Sequence, residues 1–388
     1  MMFLFSKTTM SVSDFLSSIG HPAAIVAGIL LVVIVCWEAF ETIVLPRTVS
    51  RKLRLTTVYF DTIWRVGFKV LKVLDRRPAA RESLLAVVGP LALIALIALW
   101  SLGIILGFAS IQWGLMTPMS NQESGFWTNL YVSAATFFTL GYGDIVAISG
   151  LGRGVSMVEA GIGFGTLALV ISYVPVLYQA YSARERVSLL LDSRAGSPPA
   201  GVELLVCYGS DLNGLKEIFA EFERWGASLL ETYLSYPILA TYRSQHEMLS
   251  WIASLTCVCD ACTLVQTAYQ ADGPEMESLK RQARHTYAML RHLAVDLSYI
   301  LRVDPVAPPV DRMGEEVWPE VVAALQSSGA PVCGRTDACA NFGDLRDGYE
   351  PFAFGLSQSL YLTMPPMYRP KHEMASWEKS AWDEDRHF

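Results

Sequence analysis

Six consecutive residues carry the chemistry of this chain: Thr139, Leu140, Gly141, Tyr142, Gly143 and Asp144. What they offer is mainly backbone. A dehydrated cation needs oxygens in place of its hydration shell, and a column of carbonyls supplies them if all point down one axis. Carbonyls stack on one side of an extended segment only when alternate residues adopt φ/ψ values that a Cβ obstructs. Gly141 and Gly143, spaced by two, permit this. Thr139 adds a hydroxyl at the inner mouth, Tyr142 is expected to pack outward and brace the segment, and Asp144 places a carboxylate where cations enter.

Such a segment needs membrane-grade surroundings, and the composition provides them. Of 388 residues, 52% are hydrophobic, and the mean hydropathy is +0.34. That is too apolar for a protein with a charged surface all round. The apolar run 23–45 is long enough to cross a hydrocarbon core of about 30 Å as a helix. A basic n-region and a cleavage site are missing, which argues against a secretory signal. Residues 1–22 precede this span as a short surface helix or an unstructured segment. Glu38 and Glu41 sit near the end of the span, where acids are expected to reach the interface.

Charge orients the rest. Between Pro46 and Arg81 there are ten Lys or Arg against Asp61 and Asp75, and no Lys or Arg follows until Arg153. The loop 46–83 is therefore expected in the cytoplasm and the N-terminus outside. Within it Phe60, Ile63, Trp64, Phe68, Leu71 and Leu74 recur at helical spacing. They fit an amphipathic helix whose basic residues, within 47–77, meet anionic lipids, or one that packs on a soluble domain. A second span, about 84–111, exits outside. The short apolar segment 126–138 suits a re-entrant pore helix whose C-terminal dipole favours a cation. A third span, 154–181, returns to the cytoplasm, where Arg184, Arg186 and Arg194 follow it.

These residues resemble the tetrameric potassium channels of the two-helix pore class. The match lies in the filter run, in the hydroxyls of Thr136 and Thr139, and in Gly161-Ile162-Gly163-Phe164-Gly165, where such channels have a hinge glycine. Gly163 best fits that position, with close helix packing as the alternative. Leu140 stands where the usual signature has Val. Ala135 replaces a glutamate that, in some members, bonds the filter aspartate. The resemblance implies a homotetramer, with potassium passing through 139–143 and coordinated at Thr139, Leu140, Gly141 and Tyr142. It implies no cofactor, no catalysis and no nucleic-acid partner. Glu159, one turn before Gly163, is expected to bond behind the pore helix as pore support, together with Thr136.

Gly196-Ser197-Pro198-Pro199 breaks any helix, so 182–199 is expected to be a linker after the pore module 84–181. The domain that follows, 200–364, patterns as helices over 212–233, 248–269, 276–300 and 315–325. The expected fold class is thus an all-α integral membrane protein with three transmembrane helices, a re-entrant pore helix and filter, and a helical cytoplasmic domain. Ser235-Tyr236-Pro237 through Tyr242-Arg243-Ser244-Gln245-His246 to Trp251 resembles the cytoplasmic part of uncharacterised bacterial proteins of potassium-channel type, which implies a bacterial inner membrane. Cys257, Cys259 and Cys262 hold a C-x-x-C pair, but their apolar helical run suits small core residues better than zinc or redox chemistry. His246, His285 and His292 lack a defined ligand set. No dinucleotide fingerprint, P-loop or voltage-sensor pattern is present. The tail 365–388 has no periodicity and is expected to be disordered or to pair with a partner. Two rival readings are a poorly selective cation channel, which Leu140 and Ala135 leave open, and a membrane-anchored signalling protein. The gating stimulus, a cytoplasmic ligand or protein, is not legible.

Overall fold

The computed structural model describes residues 12–43, 45, 56, 58–59, 62–63, 67, 78–122, 125–244, 249–313, 316–332 and 336–369. The chain is an all-α membrane protein. Its helices are α1 (Val12–Ile43), α2 (Pro78–Gly114), α3 (Phe126–Phe137), α4 (Gly150–Ala195), α5 (Gly201–Tyr208), α6 (Leu212–Ser235), α7 (Trp251–Thr267), α8 (Pro274–Leu301), α9 (Trp318–Ser327), α10 (Thr336–Arg346) and α11 (Glu350–Leu360). A 3₁₀ turn occupies Pro237–Thr241. Among the described residues three segments are long and apolar enough to cross a membrane: Gly20–Ile43, Arg81–Gly114 and Gly150–Ala195. The chain divides into two compact units, Met1–Val176 and Leu177–Phe388.

In the first unit α1 lies against α2 and α2 against α3. Val32 and Val35 of α1, Trp100, Ile104 and Phe108 of α2 and Phe137 of α3 form one buried cluster. Small residues let α1 and α2 approach closely: a Cβ on Gly28 would sit 2.5 Å from the carbonyl oxygen of Gly107. The outward faces, with Val26, Ile94 and Leu102, are exposed and apolar, as suits helices solvated by lipid.

Two acids depart from expectation. Glu38 and Glu41 are buried rather than interfacial. Glu38 accepts both the backbone N–H (3.2 Å) and the hydroxyl (2.7 Å) of Thr56, and Glu41 accepts Trp37 Nε1–H at 2.6 Å. Local donors thus take the place of water. The expected amphipathic helix and the proposed lipid contacts of 47–77 fall almost wholly outside the described residues.

In the second unit α7 is buried on every side from Trp251 to Val265, which is why its sequence is apolar all round rather than on one stripe. Amphipathic α6 and α8 lie against each other, and α8 also packs on α7. Two boundaries need correction. The expected linker 182–199 is helical to Ala195, because no breaker intervenes before Gly196, whose φ of +78° ends the helix. Its buried Leu191 and Arg184 belong to the second unit. The start of the expected disordered tail is also packed. Met367 is buried, its carbonyl accepts the N–H of Val202 at 3.2 Å, and the backbone N–H of Arg369 donates to Glu203 Oε1 at 3.1 Å. Residues 370–388 lie outside the described ones.

Candidate functional site: the pore helix and the segment after it

Helix α3 positions the six-residue run, and the way it ends decides the backbone there. The N–H of Leu140 bonds to the carbonyl of Ala135 (2.9 Å) and that of Thr139 to the carbonyl of Thr136 (3.0 Å). Together they close the helix as a Schellman motif, in which the residue after the cap turns left-handed. That residue is Thr139, with φ +52°. A β-branched residue is strained there by roughly 1–2 kcal/mol. Gly141 (φ +63°) and Gly143 (φ +73°) continue the alternation, so every second residue from 139 to 143 has a left-handed backbone. The sequence pointed to the glycines. It did not show that Thr139 shares their conformation.

Beyond Gly143 the chain is tied at its outer end. Tyr131 Oη of α3 donates to Asp144 Oδ2 at 2.8 Å, and this bond holds the Asp144 carboxyl below its ordinary value. Ala135 cannot provide a carboxyl for that aspartate, and a tyrosine one turn earlier on the same helix anchors it instead. Residues 117–122 pair with the segment after Asp144. Met119 and Ala147 form an antiparallel bridge, Ser120 N–H donates to Val146 O (3.0 Å), and Ile148 N–H donates to Pro118 O (3.0 Å).

The inner side of α3 is held by α2 and α4. Ser133 Oγ lies 2.8 Å from the carbonyl oxygen of Ile105 in α2 and bonds also to Glu159 Oε1 of α4. Glu159 is fully buried and faces α3 through Ser133. Gln112 of α2 donates to Gly152 O and Ser156 Oγ of α4, each at 3.1 Å. Gly163 lies where a Cβ would come within 2.2 Å of the Phe137 carbonyl oxygen. Close packing therefore requires glycine at this position, and α4 runs through it as continuous helix. Thr136 acts through its carbonyl in the Schellman closure. Tyr131, Ser133, Gln112 and Ser120 were not evident beforehand, since their partners lie 13 to 44 residues away in sequence.

The second unit holds its charges differently. Arg184, buried, donates to Tyr233 Oη and to the carbonyls of Leu239 and Tyr242, each at 3.0 Å. Deeper in, Arg312 bridges Asp260 Oδ2 (2.6 Å) and Glu350 Oε1 (2.9 Å), while Tyr349 Oη donates to Asp260 Oδ1. Burial alone would lower the affinity of Arg312 for its proton, but the adjacent acids outweigh it and hold the guanidinium firmly charged. Cys257, Cys259 and Cys262 are buried in α7, and burial pushes their thiols well up. His285 is exposed, and exposed His292 meets Asp296 at 3.2 Å. His246 falls outside the described residues. Among the described residues no group of three or more His, Cys, Asp or Glu is placed to hold a metal ion.

Residues 94–179 match the sequence profile of the ion channel family. The match runs from the middle of α2, through α3 and the filter run, to the part of α4 that contains Glu159 and Gly163. It supports an ion channel. The chain is also similar to the "Uncharacterized membrane protein YdjJ" of Bacillus subtilis (strain 168). The two are 24% identical over 259 residues, covering 64% of this chain and 71% of that protein. No solved structure matches.

Proposed function

We propose that the chain is the subunit of a potassium channel, in which four copies place residues 139–144 around one axis and potassium passes down its gradient. One observation carries the reading: left-handed backbone at Thr139, Gly141 and Gly143, alternating directly after a pore helix, within the ion-channel match. Alternation of this kind lets successive carbonyls face one side. A single strand cannot surround an ion, and residues 139–144 are exposed in the isolated chain, Leu140 and Tyr142 included. That exposure is what a segment completed by neighbouring copies presents.

In this reading Thr139, Leu140, Gly141 and Tyr142 supply the coordinating oxygens, Gly143 the outer turn and Asp144 the entry charge. The positive-inside rule places the N-terminus outside and the second unit in the cytoplasm. Gly163 bends α4 on opening, and the second unit stabilises the tetramer or receives the stimulus. The test is flux into liposomes that contain the full-length protein, with potassium or sodium as the only permeant cation. Potassium uptake well above sodium uptake is the expected result. Equal uptake would make it a poorly selective cation channel, and uptake of neither in tetrameric, reconstituted protein would oppose the reading.

A further inference from the structure

Glu159 is fully buried, and its position allows its protons to be counted. Ser133 Oγ lies within hydrogen-bond distance of two oxygens, Ile105 O at 2.8 Å and Glu159 Oε1. A hydroxyl has one proton to give. If Ser133 gives it to the Ile105 carbonyl, the second contact is a hydrogen bond only when Glu159 is protonated and donates to Ser133. The other carboxyl oxygen, Oε2, is buried with no partner. An ionised carboxylate here would have at most one donor and no cation.

The charged groups on the elements around it do not change that count. Helix α3 holds no Asp, Glu, Lys, Arg or His, and those of α2 are Arg81 and Glu82 at its far end. On α4 itself Arg153 is turned away, with its Nε donating to Ala147 O at 3.1 Å. On α1, Asp14 lies in the first turn, Glu38 and Glu41 bond to Thr56 and Trp37, and His21 stacks on Trp113. A buried carboxylate without a cation or several donors is far less stable than the neutral acid.

We infer that Glu159 is a positioning residue that works as the neutral acid, its proton joining α4 to Ser133 and, through Ser133, seating the pore helix against α2. Ser133 lies on α3, whose closing turn leads directly into Thr139, so a change at this latch reaches the filter through rigid helix. Loss of the proton turns the Ser133 hydroxyl toward the carboxylate, which is the stronger acceptor, and away from the Ile105 carbonyl. The tie from Ser133 to α2 is then released, and the seat of the filter shifts. The functional half of this inference rests on the channel reading, whereas the proton itself does not.

The test uses full-length protein in liposomes, as wild type, Glu159→Gln, Glu159→Ala and Ser133→Ala. The infrared difference between wild type and Glu159→Gln should contain the carbonyl stretch of a protonated carboxylic acid at neutral pH, lost only at alkaline pH. Potassium flux through the wild type should fall over the same alkaline range. Glu159→Gln, which can still donate to Ser133, should have a flat pH profile and exceed Glu159→Ala in flux. A carboxylate signal in place of the acid at neutral pH would overturn the inference. So would a Glu159→Gln profile that follows the wild type, or a Ser133→Ala variant with wild-type flux and pH dependence. If no variant conducts, the channel reading fails while the infrared band still decides the proton.

Discussion

Two buried acids, one in each unit, are held by opposite means. Asp260 in α7 meets a guanidinium and a phenol: Arg312 at 2.6 Å, and Tyr349. Arg312 in turn holds Glu350, which Arg346 reaches at 3.0 Å. Glu159 in α4 meets a serine hydroxyl and no cation. The same contrast runs through both units. The first satisfies buried polar groups with Ser133, Thr56, Gln112 and backbone, whereas the second uses Arg184, Arg312 and Arg346. A cation within a membrane span is costly whether or not it has a partner, so spans favour neutral latches. In the second unit Arg184 of α4, Arg312 before α9 and Arg346 of α10 are instead buried in networks. The second unit is not uniform in this, since its buried Asp192 meets the hydroxyl of Ser197.

The contrast is most sharply broken at Arg312. Arg312→Met strips Asp260 and Glu350 of their shared cation, and the second unit is expected to lose about 3–5 kcal/mol. Denaturant unfolding of full-length protein in detergent, followed by tryptophan fluorescence, measures the loss. Adding Asp260→Asn to Arg312→Met should restore part of it, because the double variant leaves one fewer naked charge. In the first unit the comparable liability is steric. Gly163→Ala drives a methyl to within 2.2 Å of the Phe137 carbonyl oxygen, and is expected to destabilise the first unit by about 1–3 kcal/mol. Gly161 has open space at its Cβ position, so Gly161→Ala should leave the melting temperature nearly unchanged.

The smallest effect is expected at Asp144. The hydrogen bond from Tyr131 lowers the Asp144 carboxyl below its ordinary 3.8. A depressed carboxylate contributes stability that is present above the unfolded value and lost as pH falls through the folded one. The contribution therefore holds at neutral pH and disappears in acid, below about 3.8. Tyr131→Phe should move the Asp144 titration back up toward that value. A carbon-detected NMR titration of the labelled carboxyl reads the shift directly.

The three spans, the short helix α3 and the glycines that turn left-handed after it were legible because their signals are local. Apolar runs of sufficient length, glycines spaced by two and one-sided clusters of Lys and Arg all lie within short windows. Helices α6, α7 and α8 were similarly visible from apolar spacing. Short α5, α10 and α11, of 8 to 11 residues, were not, whereas α9, of 10 residues, was read within 315–325. Arg184 looked like one more cytoplasmic charge after a span, yet it is buried among carbonyls more than fifty residues away in sequence. Likewise the sequence named Glu159 and Asp144 as acids of interest but did not indicate Ser133 or Tyr131 as their partners. Those pairings depend on how helices cross, which no short window records.

The central claim is that ions pass through the backbone of residues 139–143. The most direct test compares potassium flux through Gly141→Ala and Gly161→Ala in liposomes, after each protein has been shown to keep the wild-type oligomeric state. At Gly141, φ +63°, a Cβ disfavours the left-handed conformation by roughly 1–2 kcal/mol and turns a coordinating carbonyl out of line. The account predicts flux lost in Gly141→Ala and kept in Gly161→Ala. Undiminished potassium flux through Gly141→Ala would contradict it, because the ions would then be crossing by another route.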